Sequence, residues 1–581
     1  LKRFFGVIAV GILLASLSAC SSQSGPVSGS EITIGFEQPI NSLNTDIQGT
    51  SQVVSSDLAN LINASFYSVA ADGNLVANPD FGTVEVVSQK PFTVKYSLSG
   101  KATWSDGSKV SATDLLLSWA AATGFGGNDF KSIRMENGFR YTTEQPTIGD
   151  KDLSLTIKFN QPVPDYKTAL TLSVSASDLA KHAFGSSNLN SKQAAARVLE
   201  AITAPNPGDL QALAKSYRNG FKLGSATSSK SSAIVSSGAY VVTKADSTGL
   251  TLKINPKNTW MPVGRAETIK LTSYDDALAA VEALKAGEID LAGLIPSATS
   301  SYSSIVASLQ AARSVENQVI ASNEVEAVTF NQAEGSVFYS AAFGQAGSTT
   351  ANQAALEARQ AFLNVISVSK IRTLIGANQT IQNADSLVFA PQSAYYQAST
   401  QDSGILSYQF ADAEKAYNTI KKLDVRMHVR VLFDSSNPRA QTEYSVIADL
   451  AGPAGFSLSN VSSDNVSAAL QNGEYDVYLA PQRVLSDPSL SLQQGFYFAK
   501  GFPSNSNLLS LMQEYGQATT AVGEAAVLKK LDAELISQAY GLPLYQLPTI
   551  FTSSKKFSKK PVSADGLSLT SGYASWNLAT K

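Results

Sequence analysis

The run Tyr274–Ile295, YDDALAAVEALKAGEIDLAGLI, constrains the fold more than any other stretch of the chain. Asp275 or Asp276 can accept hydrogen bonds from the free N–H groups of a first helical turn. Leu278, Val281 and Leu284 then recur on one helical face, and Gly287 supplies a stop. Ile289–Ile295 follows as an apolar strand, and just upstream SGAYVVTKADSTGLTLKINP reads as a hairpin of two strands. Strands joined through helices by short connections indicate an α/β lobe. The rhythm returns later in VRMHVRVLFD, a helix near Glu443–Ala451, and GEYDVYLAP. Because a single core stops growing at about 250–300 residues, 581 residues require two or three lobes.

The remaining segments are read in the same way. Glu31–Phe36 alternates as a first strand, and a helix carrying Leu58, Leu61 and Ile62 is entered through Ser55, Ser56 or Asp57. ADGNLVANPDFG reads as turns, and from Val84 a half-buried strand pattern puts Phe92, Val94, Tyr96 and Leu98 on one face. EARQAFLNVISVSKIRTLI reads as one amphipathic helix. With 44% apolar and 16% charged residues and a formal net charge of −3, the chain has neither a membrane bundle's composition nor an electrostatic footprint for nucleic acid.

The N-terminal segment LKRFFGVIAVGILLASLSACSSQSG has a basic start, an apolar run from Phe4 to Leu17 and then small residues, the anatomy of an export signal. The run is shorter than the roughly 20 residues a membrane span needs. Its end, Leu17-Ser18-Ala19-Cys20, resembles the bacterial lipobox, and Cys20 is the only cysteine in the chain. Residues 1–19 are therefore expected to be a signal peptide. Residues 20–30 are expected to be a flexible Ser/Gly-rich tether on a lipidated Cys20, anchored at the extracytoplasmic face of a bacterial membrane.

KATWSDGSKVSATDLLLSW, Lys101–Trp119, is built as a corner. Asp106-Gly107 makes a turn, Ser111 and Asp114 form a capping box, Leu115, Leu116 and Trp119 face inward, and Gly124 ends the helix. The same stretch is similar to the signature block of the family 5 solute-binding proteins of bacterial ABC importers, through Trp104, Asp106, Gly107, Val110, Ser111, Ala112 and Asp114. SGAYVV, NPKNTW, LKAGEIDL, FNQ, ARQAF, GEYDV, SDP and LPLY follow in the family's order.

This resemblance implies an α/β type II periplasmic-binding fold, two hinged lobes plus an inserted extra lobe. Lobe I would combine 31–80, 232–325 and 545–581, the extra lobe II would be 81–231, and lobe III would be 326–544. It also implies a monomer without metal or cofactor that closes over a peptide, held through its backbone like an added strand, and delivers it to a permease. No G-x-x-x-x-G-K-[ST] occurs, so ATP hydrolysis would belong to separate subunits of that importer.

The resemblance places candidate ligand-binding residues and also departs from the family. Peptide binders carry W-x-x-D-Y-x-D-P, whose first aspartate pairs with the peptide's ammonium group. Aligning Asp487-Pro488 on its end puts Pro481 at the tryptophan and Val484 at the aspartate, with Arg483 beside the gap. Ser42-Leu43-Asn44-Thr45 stands where the family has Ser-Leu-Asp-Pro. Glu37, Asp46 and Asp487 are the carboxylates that motif position offers instead, with Gln38 next to Glu37. Asn331 and Tyr545 are expected to line the cleft, core packing being the alternative for Tyr545. A divergent member that binds a non-peptide ligand, or serves cell-envelope glycolipid synthesis, is the alternative function.

An enzyme is the third reading. His182 and His428 are the only histidines, and no G-x-S-x-G elbow is present. The string Ser367–Lys370 matches the S-x-x-K of penicillin-recognising serine enzymes but lacks a K-T-G partner. No catalytic residue is expected.

Overall fold

A computed structural model describes residues 25–578 except 48–51, 70–74, 129, 134–137, 161–162, 186–187, 224–234, 247, 296–301, 313–314, 377–382, 390–395, 402, 485–505, 519–520 and 558–567. The chain opens with β1 (Val27–Phe36), the hairpin β2 (Tyr67–Val69) and β3 (Leu75–Ala77), then β4 (Gly82–Gln89), β5 (Phe92–Leu98), β6 (Thr147–Ile148) and β7 (Ser154–Phe159). It continues through β8 (Tyr240–Asp246), β9 (Gly249–Ile254), β10 (Ala266–Ser273), β11 (Leu291–Leu294) and β12 (Val315–Phe330). The last strands are β13 (Met427–Leu432), β14 (Phe456–Asn460), β15 (Val477–Arg483) and β16 (Gly541–Ser554).

Ten of these strands form one sheet in the order β14-β13-β15-β12-β16-β11-β1-β10-β9-β8. At one end β1 lies parallel between β10 and β11, and at the other β13 lies parallel between β14 and β15. Between these triplets run two long antiparallel strands, β12 of 16 residues and β16 of 14. The far half of β16 pairs with β11, and the far half of β12 pairs with β15, so both strands belong to both ends of the sheet. Their mutual register shifts twice, between Ala321 and Val325 and between Glu326 and Ala327. Such irregularities let a strand pair bend.

The side chains sort into two large cores. One is drawn from residues 32–291 and 551–576, and the other from 328–547. The first includes the small sheet β4-β5-β7-β6 and the helix Ala112–Thr123 packed on it, so the inserted segment shares its core with β1 and β10.

That helix shows what the Lys101–Trp119 block does. The Ser111 N–H donates to the Asp114 carboxylate at 2.9 Å, Trp104 Nε1 donates to it at 3.3 Å, and the Ala176 N–H at 2.8 Å. Gly107 has φ of 91° at the turn, and Gly124 closes the helix in the left-handed region. Asp114 thus joins the turn, the helix and a distant segment; burial pushes its carboxyl up to about 6 against those hydrogen bonds.

Several local expectations are corrected. β1 begins at Val27, whose N–H donates to Arg265 O at 2.9 Å, so the 20–30 tether cannot extend to Ser30. Asp57 lies inside the helix Gln52–Ile62 and does not open it. Its buried carboxylate instead accepts from Ser568 Oγ at 2.7 Å, the Thr570 N–H at 2.8 Å and the Leu569 N–H at 3.2 Å. Leu75–Ala77, read as turn, pairs with Tyr67–Val69. Glu357–Ile375 is not one helix but two, Thr349–Leu363 and Val368–Gly376. The break falls where Asn364 caps the first, its Nδ2 on Gln360 O at 2.7 Å and its carbonyl accepting the Asp412 N–H at 2.7 Å.

Candidate functional site

Open α/β sheets take ligands beyond the carboxyl ends of their strands, where the chain order reverses. The sheet has two such reversals, at β1 between β10 and β11 and at β13 between β14 and β15, one on either side of β12 and β16.

At the first, β1 ends in Phe36 and is followed by Glu37 and Gln38. Glu37 accepts the Ile295 N–H at 3.0 Å and so joins the carboxyl ends of β1 and β11. Burial pushes its carboxyl up to about 7; the Ile295 hydrogen bond opposes this and the nearby Asp276 charge adds to it. A carboxyl poised there can accept or donate a hydrogen bond near neutrality. Gln38 is exposed beside it. Asp46 is 2% exposed and accepts from Ser132 Oγ at 2.7 Å and the Tyr217 hydroxyl at 2.9 Å. It is therefore part of the packing against the inserted segment and not a free carboxylate. Asn44 makes a matching link, with Nδ2 on Tyr217 O at 3.0 Å.

At the second reversal β13 runs into Asp434, which accepts from the Ser436 N–H at 2.8 Å and Oγ at 2.6 Å. The helix Pro438–Ala451 follows, capped by Asn437. Asp434 was not singled out from sequence; the signal was there in FDSSNP, a strand running into a helix cap at the end of an α/β unit.

Two residues expected to line the cleft are buried, Tyr545 in the core-packing alternative. Asn331 is buried, with Nδ2 on Tyr475 O at 2.8 Å and Gly473 O at 3.2 Å and Oδ1 accepting the Ala333 N–H at 3.0 Å. Its amide is spent on holding the β12 exit to the loop before β15. Tyr545 is fully buried, and its hydroxyl donates to Glu443. The register sets Tyr545 opposite Glu326, and Arg439 Nη2 lies 3.8 Å from the Glu326 carboxylate. Two buried glutamates thus share one guanidinium. Burial, and for Glu326 also repulsion from Glu443, raises both carboxyls, Glu443 to about 7 and Glu326 well above its ordinary range. Sequence missed this group because its members come from β12, β16 and a helix.

Val484 is 2% exposed and packs with Val325 and Ala384. Val484, the residue that aligning Asp487-Pro488 sets against the motif's aspartate, is thus an apolar contact. Arg483 closes β15 opposite Glu324. Cys20 and Asp487 lie outside the described residues.

The features that suggested an enzyme do not assemble. Ser367 Oγ accepts the Lys370 N–H at 3.3 Å as a helix cap, while Lys370 Nζ lies 3.6 Å from Asp449. His182 packs edge-on to Phe221, and His428 is exposed between the Ser457 and Ser459 hydroxyls. Among the described residues no three His, Cys, Asp or Glu side chains are grouped to hold a metal ion, and no helix is long and apolar enough to cross a membrane.

A periplasmic EDTA-binding protein, EppA, superposes with a TM-score of 0.69 at 18% identity, covering 96% of this chain and 98% of that one. The oligopeptide-binding protein AppA of Bacillus subtilis, in complex with a nonapeptide, gives 0.64 at 11% identity, covering 96% and 100%. These superpositions establish the fold, a type II periplasmic-binding architecture. An uncharacterized lipoprotein of Mycobacterium leprae (strain TN) is 33% identical over 120 residues, which is 20% of this chain and 21% of that protein. The sequence profile of the bacterial extracellular solute-binding proteins, family 5 Middle, matches residues 77–502. With most of its length matched by that profile and its whole architecture shared with solved binding proteins, the chain belongs to the family 5 bacterial extracellular solute-binding proteins.

Proposed function

We propose that the chain is the lipid-anchored substrate-binding subunit of an ABC importer, acting as a monomer that closes its lobes over a peptide or peptide-like solute and delivers it to a permease with separate ATPase subunits. The observation that carries this reading is the pair of chain reversals, at Glu37 and at Asp434, set on either side of two long strands common to both ends of the sheet. Closure about β12 and β16 brings two polar loops onto one ligand.

The ligand is held without an ammonium anchor at Val484. An ammonium group facing Val484, Val325 and Ala384 would lose its hydration with no counter-charge, at a cost of several kcal/mol. A peptide would therefore be held by its backbone. The same apolar contact favours a second reading, a non-peptide solute, in line with the EDTA bound by one structural relative.

Native mass spectrometry of purified protein, with extraction of the retained small molecule, identifies the class. Small-angle scattering should then show compaction when that molecule is returned to stripped protein. Hydrolysis of an ester, amide or β-lactam by the pure protein, lost in Ser367→Ala, would overturn the reading.

A further inference from the structure

The helix Gln52–Ile62 has two unlike faces. Val54, Leu58, Leu61 and Ile62 are in the core, whereas Ser56, Ala59, Asn60 and then Asn63 follow the i, i+3, i+4, i+7 spacing of one helical face with small and amide side chains. That face borders a cavity of about 360 Å³. Phe66, Tyr67, Leu170, Met261 and Tyr573 make much of the remaining wall, and Lys167 is the one charged residue among the described residues that line it. None of the residues at either chain reversal takes part, so the cavity is separate from the candidate cleft. Its size, and a surface that is mainly apolar although serines, threonines and asparagines contribute to it, are those of small-molecule sites.

Two of its polar groups are unspent. Asn63 is 8% exposed; its N–H donates to Ala59 O and its Nδ2 to Thr45 Oγ1 at 2.9 Å, but among the described residues no donor reaches its Oδ1. The Lys167 ammonium has no ion-pair partner among the described residues and lies 5.7 Å from the neighbouring Tyr166 ring. One group asks for a donor, the other for an anion, and the wall between them is largely apolar.

We propose that this cavity is a second ligand site, independent of the cleft between the lobes, for a small anion with an apolar body and one N–H or O–H donor, of which an N-acyl amino acid is the simplest chemical class. The carboxylate meets Lys167, the amide N–H meets Asn63 Oδ1, and the acyl chain lies along Phe66, Leu170 and Met261.

The chain has four methionines, of which Met261 borders the cavity and Met427 lies in the other core. Full-length protein labelled at the methionine methyl groups is titrated with N-hexanoylglycine. The Met261 signal should move saturably while Met427 stays still. Lys167→Gln should weaken binding about tenfold, the size of a lost charge-assisted hydrogen bond. Ala59→Phe, which fills the cavity, should abolish it. A Met261 signal that does not move at millimolar ligand, equal affinity in Lys167→Gln, or equal affinity for the uncharged amide of the probe overturns the proposal. Lys167 is half-buried on a short turn, so its variant decides the matter even if Ala59→Phe does not fold.

Discussion

Glu326 on β12 lies directly opposite Tyr545 on β16, at a shift in the register of the two strands that join the ends of the sheet. Arg439 and Glu443, one turn apart on the helix Pro438–Ala451, close over the pair. Glu324, Tyr478 and the Tyr545 hydroxyl are the other ionisable groups whose fields reach it. Two acids facing one guanidinium in a dry site retain a proton.

That retained proton sets a pH dependence. The Glu443 carboxyl rises from 4.5 to about 7 on folding. Between these values the folded state holds more protons than the unfolded one, so its stabilising contribution is complete below 4.5 and is lost as pH rises through 7. Glu37, raised to about 7, and Asp57, Asp114 and Asp532, raised to about 6, act in the same direction. The melting temperature should fall by about 3 °C or more between pH 5 and pH 8, and Glu443→Gln should flatten the slope. A melting temperature that climbs over this range would contradict the arrangement.

Asp57→Ala removes the acceptor for Ser568, Leu569 and Thr570 and leaves two backbone N–H groups without their partner. The expected loss is about 3 kcal/mol or more, measured by denaturant titration, with faster proteolysis near residue 568. Unchanged cleavage would show that the segment is held by other contacts.

Val484→Asp places a carboxylate against Val325 and Ala384. Empty protein should lose about 2–4 kcal/mol of stability. If a peptide's amino terminus reaches this point, the variant should also gain a preference for free over N-acetylated peptides, read by calorimetry. A wild-type protein that already demands a free amino terminus would place the anchor elsewhere.

Cys20→Ser should move the protein from the membrane to the soluble fraction, because one thiol is available for acylation. Retention with an uncleaved leader would instead make residues 4–17 the anchor.

What could be read from sequence was whatever is decided within a few residues. The Ser111–Asp114 box, the Asp276 cap and the Gly124 and Gly287 stops involve neighbours along the chain, and they stand where their spacing puts them. Asp57 failed as a helix cap because its partners lie 511 to 513 positions away. Asn331 and Tyr545 sit in blocks that resemble the family's, but block position says nothing of the side chain's direction. The β12–β16 register turns Tyr545 inward, and the loop at Gly473–Tyr475 consumes Asn331. The apolar surroundings of Val484 come from β12 and from Ala384, neither of which its motif contains.

The position of β16 bears on how the molecule is made. It is the last long strand among the described residues, yet it lies in the middle of the sheet, with β12 on one side and β11 on the other. A polypeptide leaving a ribosome or a secretion channel amino end first must hold those two flanks apart, with unpaired edges, until residues 541–554 arrive. A truncated product lacking them keeps two open edges and no way to join its halves. Vectorial synthesis therefore makes completion of the sheet a late event, and until then the nascent chain carries open strand edges of the kind that invite aggregation.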